Sequence, residues 1–552
     1  MFNYRIIKRK SLIYYKDNME LKKFKILASD GLAQEGIEIL NEFNNFDITI
    51  KNKTTKEELL EIIEYYDGII VRSATKMTAD IIKAGKKLRV IVRAGTGYDN
   101  INIDECNKHG IVVIITPLGN SNAVVELTIG HMLNFARHIY EANFSMREGK
   151  WNKKSLRGTE LRGKTIGVIG LGHIGAAVVK RCQVFNMKVI AYDRFVPKKR
   201  GRDLGIKLMD KLDDLLVQSD YITIHIPLTA QTKDLINYPE ILKMKPNVII
   251  VNVARGGIVN EDALYDALKN NRIGGACIDV FTKEPIYAED APFIGLDNCI
   301  TTPHLGANTI EAQIEVAKLA AERIAQALNS KIFIDAVNIS FNLSEEMADI
   351  YRPYIELGAS LSKFITQINQ SKIVSVKIKY KGEIFTNFDP IKAVTLQSLF
   401  DRRLSEIITY INLEEILIEN EIKVDVGKFN KPINFENYIK IYIRTEDGTS
   451  TKIAGTVFSE KPKIVEINGL FYDLAPTNYM LVLRNKDVPG VLGKIGTFLG
   501  DKGINIAGLQ CGRKEKGDIA ISIVTLDNPV SKDDLNELKK FSDIIDAYGI
   551  IL

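Results

Sequence analysis

The 552-residue chain is poor in the side chains that bind metals and build disulfide frameworks, with five cysteines and six histidines. Cys106, Cys182, Cys277, Cys299 and Cys511 show no CxxC spacing. Their odd number argues against a disulfide framework, which suits a reducing compartment. The histidines are as scattered, with no HExxH or Cys/His grouping, so no metal site is expected. No apolar run reaches the ~20 residues of a membrane-spanning helix, so no membrane partner is expected. Excess charge is scarce too. The formal net charge is +5, yet residues 1–18 carry Arg5, Lys8, Arg9, Lys10 and Lys16 against Asp17 alone. What remains is near neutral, too little for a nucleic-acid footprint.

That basic head has two readings. It is either an organellar transit segment or an extension upstream of Met19, where MELKKFKILASDGL leads into the first strand. We prefer the second, because the segment lacks the serine and arginine richness of a transit peptide. The expected location is then cytoplasmic. The rest of the composition, 45% hydrophobic and 26% charged, is that of a globular chain of three or four domains.

Residues 161–194, LRGKTIGVIGLGHIGAAVVKRCQVFNMKVIAYDR, organise the whole. A β-branched run at 165–169 predicts a buried strand, and three glycines follow. Apolar residues at helical spacing (Ile174, Val178, Val179, Cys182, Val184) come next, then a second strand at 189–192 ending on Asp193. In that context Gly170 makes a tight turn, Gly172 admits a pyrophosphate, and Gly175 lets helix pack on strand. His173 and Ile174 open a helix whose free N–H groups suit phosphates. Asp193 is placed for a ribose 2′-OH, favouring NAD over NADP, although Arg194 and the run Lys198-Lys199-Arg200 pull the other way.

Residues 23–120 alternate strand and helix patterns, which predicts a parallel sheet covered on both faces. Ligands bind beyond the strand ends of such sheets, where Arg72, Ser73, the stretch Arg93–Asn100 and Asn120 lie. Two arginines there suit an acidic substrate. Residues 123–145 read as one long helix crossing between domains. Later loops carry HIPLT (225–229), Arg255 before two glycines, Asp279, and TTPHLGA (301–307). The last opens a helix over 309–328 that leads back to the first domain.

A nicotinamide-dependent oxidation of an acidic alcohol would need a base for the hydroxyl proton and a cation for the substrate's charge or nascent carbonyl. His304 is the natural base, Glu284 can fix its tautomer, and Arg255 can bind the carboxylate and polarise the carbonyl. Past 338 the texture changes to an α+β domain with strands at 373–380, 438–445 and 463–469, and a helix around 396–408. Residues 477–552 read β-α-β-β-α-β, a ferredoxin-like sandwich.

The set AGTGYDN, GLGHIG, HIPLT, NVARGG, CIDVFTKEP and TPHLGA resembles the D-2-hydroxyacid dehydrogenases. The later domains resemble the intervening and ACT domains of that family's long-form, phosphoglycerate-oxidising branch. The resemblance implies two doubly wound Rossmann-like domains with the active site between them. The substrate domain would be 23–120 completed by 305–331, and the NAD domain 121–304. An intervening domain (332–474) and an ACT domain (477–552) would follow, with 1–22 as an extension. It implies NAD as cofactor, held by Gly170, Gly172, His173, Ile174, Gly175, Asp193, Pro227, Thr232, Ala254 and Asp279. For Asp279 the local hydrogen-bond network is an equal expectation. His304, Glu284 and Arg255 become the catalytic set, and Arg72, Ser73, Arg93, Gly95, Thr96 and Asn120 the substrate contacts. The implied reaction takes 3-phosphoglycerate to 3-phosphohydroxypyruvate, the first step of serine biosynthesis. L-Serine is the implied effector on Asn485, Asp487 and Asn505, in a homodimer or homotetramer. Lys153 and Lys154 either reach a neighbouring subunit's site or form a solvated run. Two alternatives stand beside this reading: another 2-hydroxyacid dehydrogenase or hydroxypyruvate reductase, and an NAD-sensing co-regulator.

Overall fold

The computed structural model describes residues 23–287, 291–330, 332–339, 343, 345–401, 403, 408–429 and 434–552. The basic head, residues 1–18, lies outside them. The first sheet contains β1 (Phe24–Ala28), β2 (Phe46–Ile50), β3 (Gly68–Val71), β4 (Val90–Arg93) and β5 (Val112–Ile115), all parallel in the order β2-β1-β3-β4-β5. Strand β3 is buried at every position, as a strand covered on both faces must be. The helix that returns after the second domain, Ile310–Ala325, completes this one. A Cβ on Gly36 would lie 2.7 Å from Ala317 O, so this glycine sets how closely the two helices pack. Beyond a short π-helical turn at Gln326–Ser330, residues 332–339 run along the free edge of β5. There Val337 N–H donates to Val113 O at 2.9 Å. This segment therefore joins the two domains, Phe333 and Ala336 packing in the first and Ile332 and Ile334 in the core of the one that follows.

The second sheet orders β12-β11-β10-β9-β6-β7-β8, from β6 (Thr165–Ile169), β7 (Lys188–Tyr192), β8 (Lys207–Leu208), β9 (Tyr221–Ile224), β10 (Ile249–Asn252), β11 (Gly275–Ile278) and β12 (Cys299–Thr301). The direction of winding reverses between β6 and β9, the switch point at which such sheets bind dinucleotides. The crossing segment is two helices, Ser121–Arg137 and Ile139–Arg147, rather than one. The break is at His138, which adopts a left-handed φ of 50°. Asn134 makes both ends of the break: its carbonyl takes the His138 N–H and its side-chain oxygen takes Tyr140 N–H at 2.9 Å.

The third sheet orders β14-β13-β15-β16-β17-β18, from β13 (Ile373–Lys381), β14 (Lys423–Lys428), β15 (Tyr438–Thr445), β16 (Ser450–Phe458), β17 (Lys461–Ile467) and β18 (Leu470–Leu474). The helix expected around 396–408 instead spans Asp389–Phe400, with Pro390 in its first turn where a missing N–H costs nothing; residues 402 and 404–407 lie outside the described ones. The last sheet, β20-β21-β19-β22, is antiparallel, from β19 (Tyr479–Lys486), β20 (Ile506–Gly512), β21 (Ile519–Leu526) and β22 (Ile544–Ile551). Alternation splits its side chains. Leu481, Leu483 and Val524 face its own two helices. Met480, Val482, Ile523 and Ile550 join one core with Tyr351, Leu361 and Phe364 of the preceding domain's long helix, Glu345–Gln367. The two C-terminal domains thus share a hydrophobic core. Among the described residues no helix is long and apolar enough to cross a membrane.

Candidate active site

The glycine fingerprint has the tight turn expected at Gly170 and the close helix–strand packing expected at Gly175. Gly170 has φ +95°, and a Cβ there would lie 2.4 Å from His225 O. A Cβ on Gly175 would lie 2.0 Å from Gly170 O, which only glycine permits. Gly172, between them, faces open space where a pyrophosphate can approach the backbone. His173 and Ile174 then start the helix His173–Val184. The Asp193 carboxylate stands beside this loop, accepting Leu171 N–H and Phe195 N–H, both at 2.8 Å. Pro227 and Thr232 form the loop after β9, where the Thr232 hydroxyl donates to Pro227 O at 2.7 Å. Ala254 follows β10. The chain's own residues therefore fit a dinucleotide across the carboxyl ends of the second sheet.

Between the first two domains lies a cleft of about 300 Å³. His304, Glu284 and Arg255 line it from the second domain's side. Arg72, Ser73, Arg93, Gly95, Thr96 and Asn120 line it from the other. His304 Nδ1 is 2.7 Å from Glu284 Oε2. Burial pushes the Glu284 carboxyl up, but hydrogen bonds from His304 and Phe281 N–H outweigh it and hold it below the usual carboxylate value. A carboxylate can only accept, so Nδ1 carries the proton and Nε2 keeps a lone pair. His304 itself has φ +53°. Such a conformation costs a bulky residue about 1–3 kcal/mol and persists only where the surroundings impose it. Here its N–H donates to Asp279 O at 2.9 Å and to Thr302 O at 3.0 Å.

Three guanidiniums converge on the same cleft. Arg93 is pushed down to about 10, first by burial and then by the Arg255 and Arg72 charges, with Asp99 and Asp30 opposing. Its Nε is buried without a hydrogen-bond partner. The glycines of AGTGYDN make room for these groups: a Cβ on Gly95 would lie 2.0 Å from Arg93 Nη1, and one on Gly97 1.5 Å from Arg255 Nη2. Arg255 reaches across the cleft, its Nε donating to Asp99 Oδ2 at 2.9 Å. Thr96 and Asn120 bond to each other at 2.9 Å.

Two of the expected ligand residues carry internal bonds of their own. Asp279 is wholly buried, and its carboxylate accepts from Thr302 Oγ1 (2.5 Å), Leu305 N–H (2.8 Å) and Gly306 N–H (2.9 Å). Both oxygens thus hold the His304 loop in place, the local network that was one of the two expectations for this residue. Asn485 is also buried, its side chain accepting from Ser522 Oγ at 2.8 Å and donating to Lys486 O. Asp487 accepts from Arg513 Nη1 at 2.5 Å and from Gly517 N–H at 2.9 Å. Asn505 donates to Asp527 at 2.6 Å. Within one chain these three residues do not converge. Lys486 pairs with Ile519 and Ile506 with Leu526, so the two ends stand about 23 Å apart at ~3.3 Å per residue.

Other residues in or behind the cleft were given no role in the sequence reading. Gln313 accepts from an Arg72 guanidinium N–H and donates to Ala307 O. Asn252 ties the Arg255 loop, donating to Arg255 O and accepting Ala254 N–H. Asp99 stood in a quoted motif without a role. Asn252 opens the quoted NVARGG in the same way, so a motif was the signal for both; Gln313 gave none, as an amide in an ordinary helix context.

Comparison with known proteins decides the family. Residues 129–306 match the NAD-binding domain of the D-isomer specific 2-hydroxyacid dehydrogenases, 350–468 the D-3-phosphoglycerate dehydrogenase intervening domain, and 479–543 the ACT domain. The D-3-phosphoglycerate dehydrogenase of Methanocaldococcus jannaschii is 39% identical over 96% of this chain and 100% of its own length. The chain belongs to the D-3-phosphoglycerate dehydrogenase family. That of Archaeoglobus fulgidus is 37% identical over the same shares. Among solved structures, a glyoxylate reductase from Paecilomyes thermophila is similar with a TM-score of 0.53 and 27% identity, over 57% of this chain and 99% of that one. As a member of this family the chain is an oxidoreductase that uses NAD.

Proposed function

We propose that the chain oxidises 3-phosphoglycerate to 3-phosphohydroxypyruvate, and that L-serine restrains it. One observation carries the reading: three arginines from two domains crowd one cleft beside a histidine–carboxylate pair, with a buried guanidinium N–H left over. Such a cluster is self-repelling until a doubly anionic ligand enters. Arg255 takes the carboxylate, and Arg93 and Arg72 take the phosphate through charge-assisted bonds. His304 Nε2 removes the hydroxyl proton at C2, and Glu284 steadies the imidazolium that results. NAD, held by the turn at Gly170, Gly172 and Gly175, would supply the acceptor for the C2 hydride. Turnover of 3-phosphoglycerate against unphosphorylated 2-hydroxy acids tests this directly. Arg72→Ala and Arg93→Ala should each raise KM for phosphoglycerate by about 10- to 150-fold, since a charged hydrogen bond contributes ~1.5–3 kcal/mol. Unphosphorylated substrates should be little affected. Equal losses on both would assign these arginines elsewhere and favour a reductase of simpler acids.

For regulation, the effector is an amino acid shared between two chains. Asp487 and Asn505 sit at opposite ends of one sheet, and only a second copy can bring one beside the other. A homodimer or homotetramer follows from that reading. The hydrogen bond from Gly517 N–H and that from Arg513 hold the Asp487 carboxyl below its usual value, so it is charged and ready for an ammonium that displaces Arg513. Asp487→Ala should abolish serine inhibition with kcat unchanged, measured as activity against serine concentration. Retained inhibition would move the effector elsewhere. The cytoplasm suits the five free thiols and the reaction.

A further inference from the structure

The His304 loop is held from behind by a hydrogen-bonded chain that ends on a different element. Residues 302–306 wrap around Asp279, whose carboxylate holds Thr302, Leu305 and Gly306 while its carbonyl holds His304 N–H. Thr302 has one hydroxyl proton. Asp279 Oδ1, 2.5 Å away, can only accept, so that proton goes to it. The Thr302 lone pair is then open to a donor, and His131 Nε2 lies 3.2 Å away. His131 is buried on the helix Ser121–Arg137, and burial pushes its imidazole down. A neutral ring bearing its proton on Nε2 satisfies every member of the chain.

We propose that Thr302 and His131 are positioning residues for His304, acting through Asp279; this rests on reading His304 as the base. Their work is to keep the loop in the left-handed turn that aims the imidazole at Glu284 and the cleft. The helix supplying His131 begins beside Asn120, itself a cleft residue bonded to Thr96. One rigid element thus reaches both the substrate loop and the support of the base. The arrangement is nearly invisible to substrate and cofactor, because neither residue lines the cleft.

The test is steady-state kinetics of the full chain with 3-phosphoglycerate and NAD. Thr302→Val, which keeps the shape and loses the hydroxyl, should lower kcat by about ten- to a hundred-fold, the scale of a misaligned reacting group. KM for 3-phosphoglycerate and NAD affinity should stay within about two-fold, because neither contact has been touched. Thr302→Ser should restore the rate. In a His304→Ala background Thr302→Val should cost nothing further. Wild-type kcat in Thr302→Val, or the same loss with and without His304, overturns the proposal. If Thr302→Val does not fold, His131→Gln, which keeps a donor in place, should outpace His131→Phe; equal rates overturn the proposal. Normal turnover in His304→Ala alone would instead sink the base assignment and leave the chain a structural one.

Discussion

Replacing His304 with alanine is expected to lower kcat by about 10²–10⁴-fold while NAD binding stays within a few-fold, because the variant loses the acceptor for the C2 hydroxyl proton. The geometry makes the expectation specific. Nδ1 is committed to Glu284 at 2.7 Å, so only Nε2 can take a proton, and alanine leaves Glu284 facing the cleft with no intermediary. NAD affinity should be spared because the glycine turn follows β6, separated by three strands of the same sheet from β12, which leads into the His304 loop. Cofactor binding followed by fluorescence, beside initial rates with 3-phosphoglycerate, separates the two. Near-normal kcat would remove His304 from the chemistry. Glu284→Gln should fall between, since the amide can still hold the ring but cannot stabilise its charge.

The second large effect is expected at Arg255. Arg255→Ala should reduce kcat by about 10²–10³-fold, the usual loss when a donor aimed at developing charge on oxygen is removed. Lysine should recover little, because the forked guanidinium grips a carboxylate by two parallel bonds and an ammonium does not. The complication is Asp99, which takes Arg255 Nε across the cleft at 2.9 Å. Some of the loss could come from the two domains no longer meeting. Asp99→Asn resolves that, since it removes the ion pair and keeps Arg255. A drop in Asp99→Asn as large as that in Arg255→Ala would make the arginine a latch rather than a substrate ligand.

Much of this was legible in the chain because the physics was local. The turn at Gly170 and the close packing at Gly175 depend on residues a few positions away, and both stand as read. Five strands of the first domain were legible for a similar reason: runs such as GIIV are buried on both faces and carry no alternation to misread. The break at His138 was not legible. It depends on Asn134 capping two helices at once, and nothing in an apolar pattern announces that. The internal partners of Asp279 and Asn485 were not legible, for a common cause. Each is a polar residue at a strand end, where ligand contact and internal hydrogen bonding look alike in sequence, and only neighbours distant in the chain, Thr302 and Ser522, separate them. Gln313 and Asp99 enter the cleft from elements that the chain brings together only after folding.

The core shared by the last two domains limits how the sensor can be traded between enzymes. A gene fusion that cut at Thr477 and grafted a different sensor would have to match Met480, Val482, Ile523 and Ile550 against a surface shaped for this one. It would also have to match the pair of bonds between the Gln367 amide and Ile551. Changes of effector that keep that face intact need alter only the helix-bearing side and the strand ends. The ACT domain is therefore fixed at its back, and variation along a lineage should be recorded at its helix-bearing side and strand ends and not on that face.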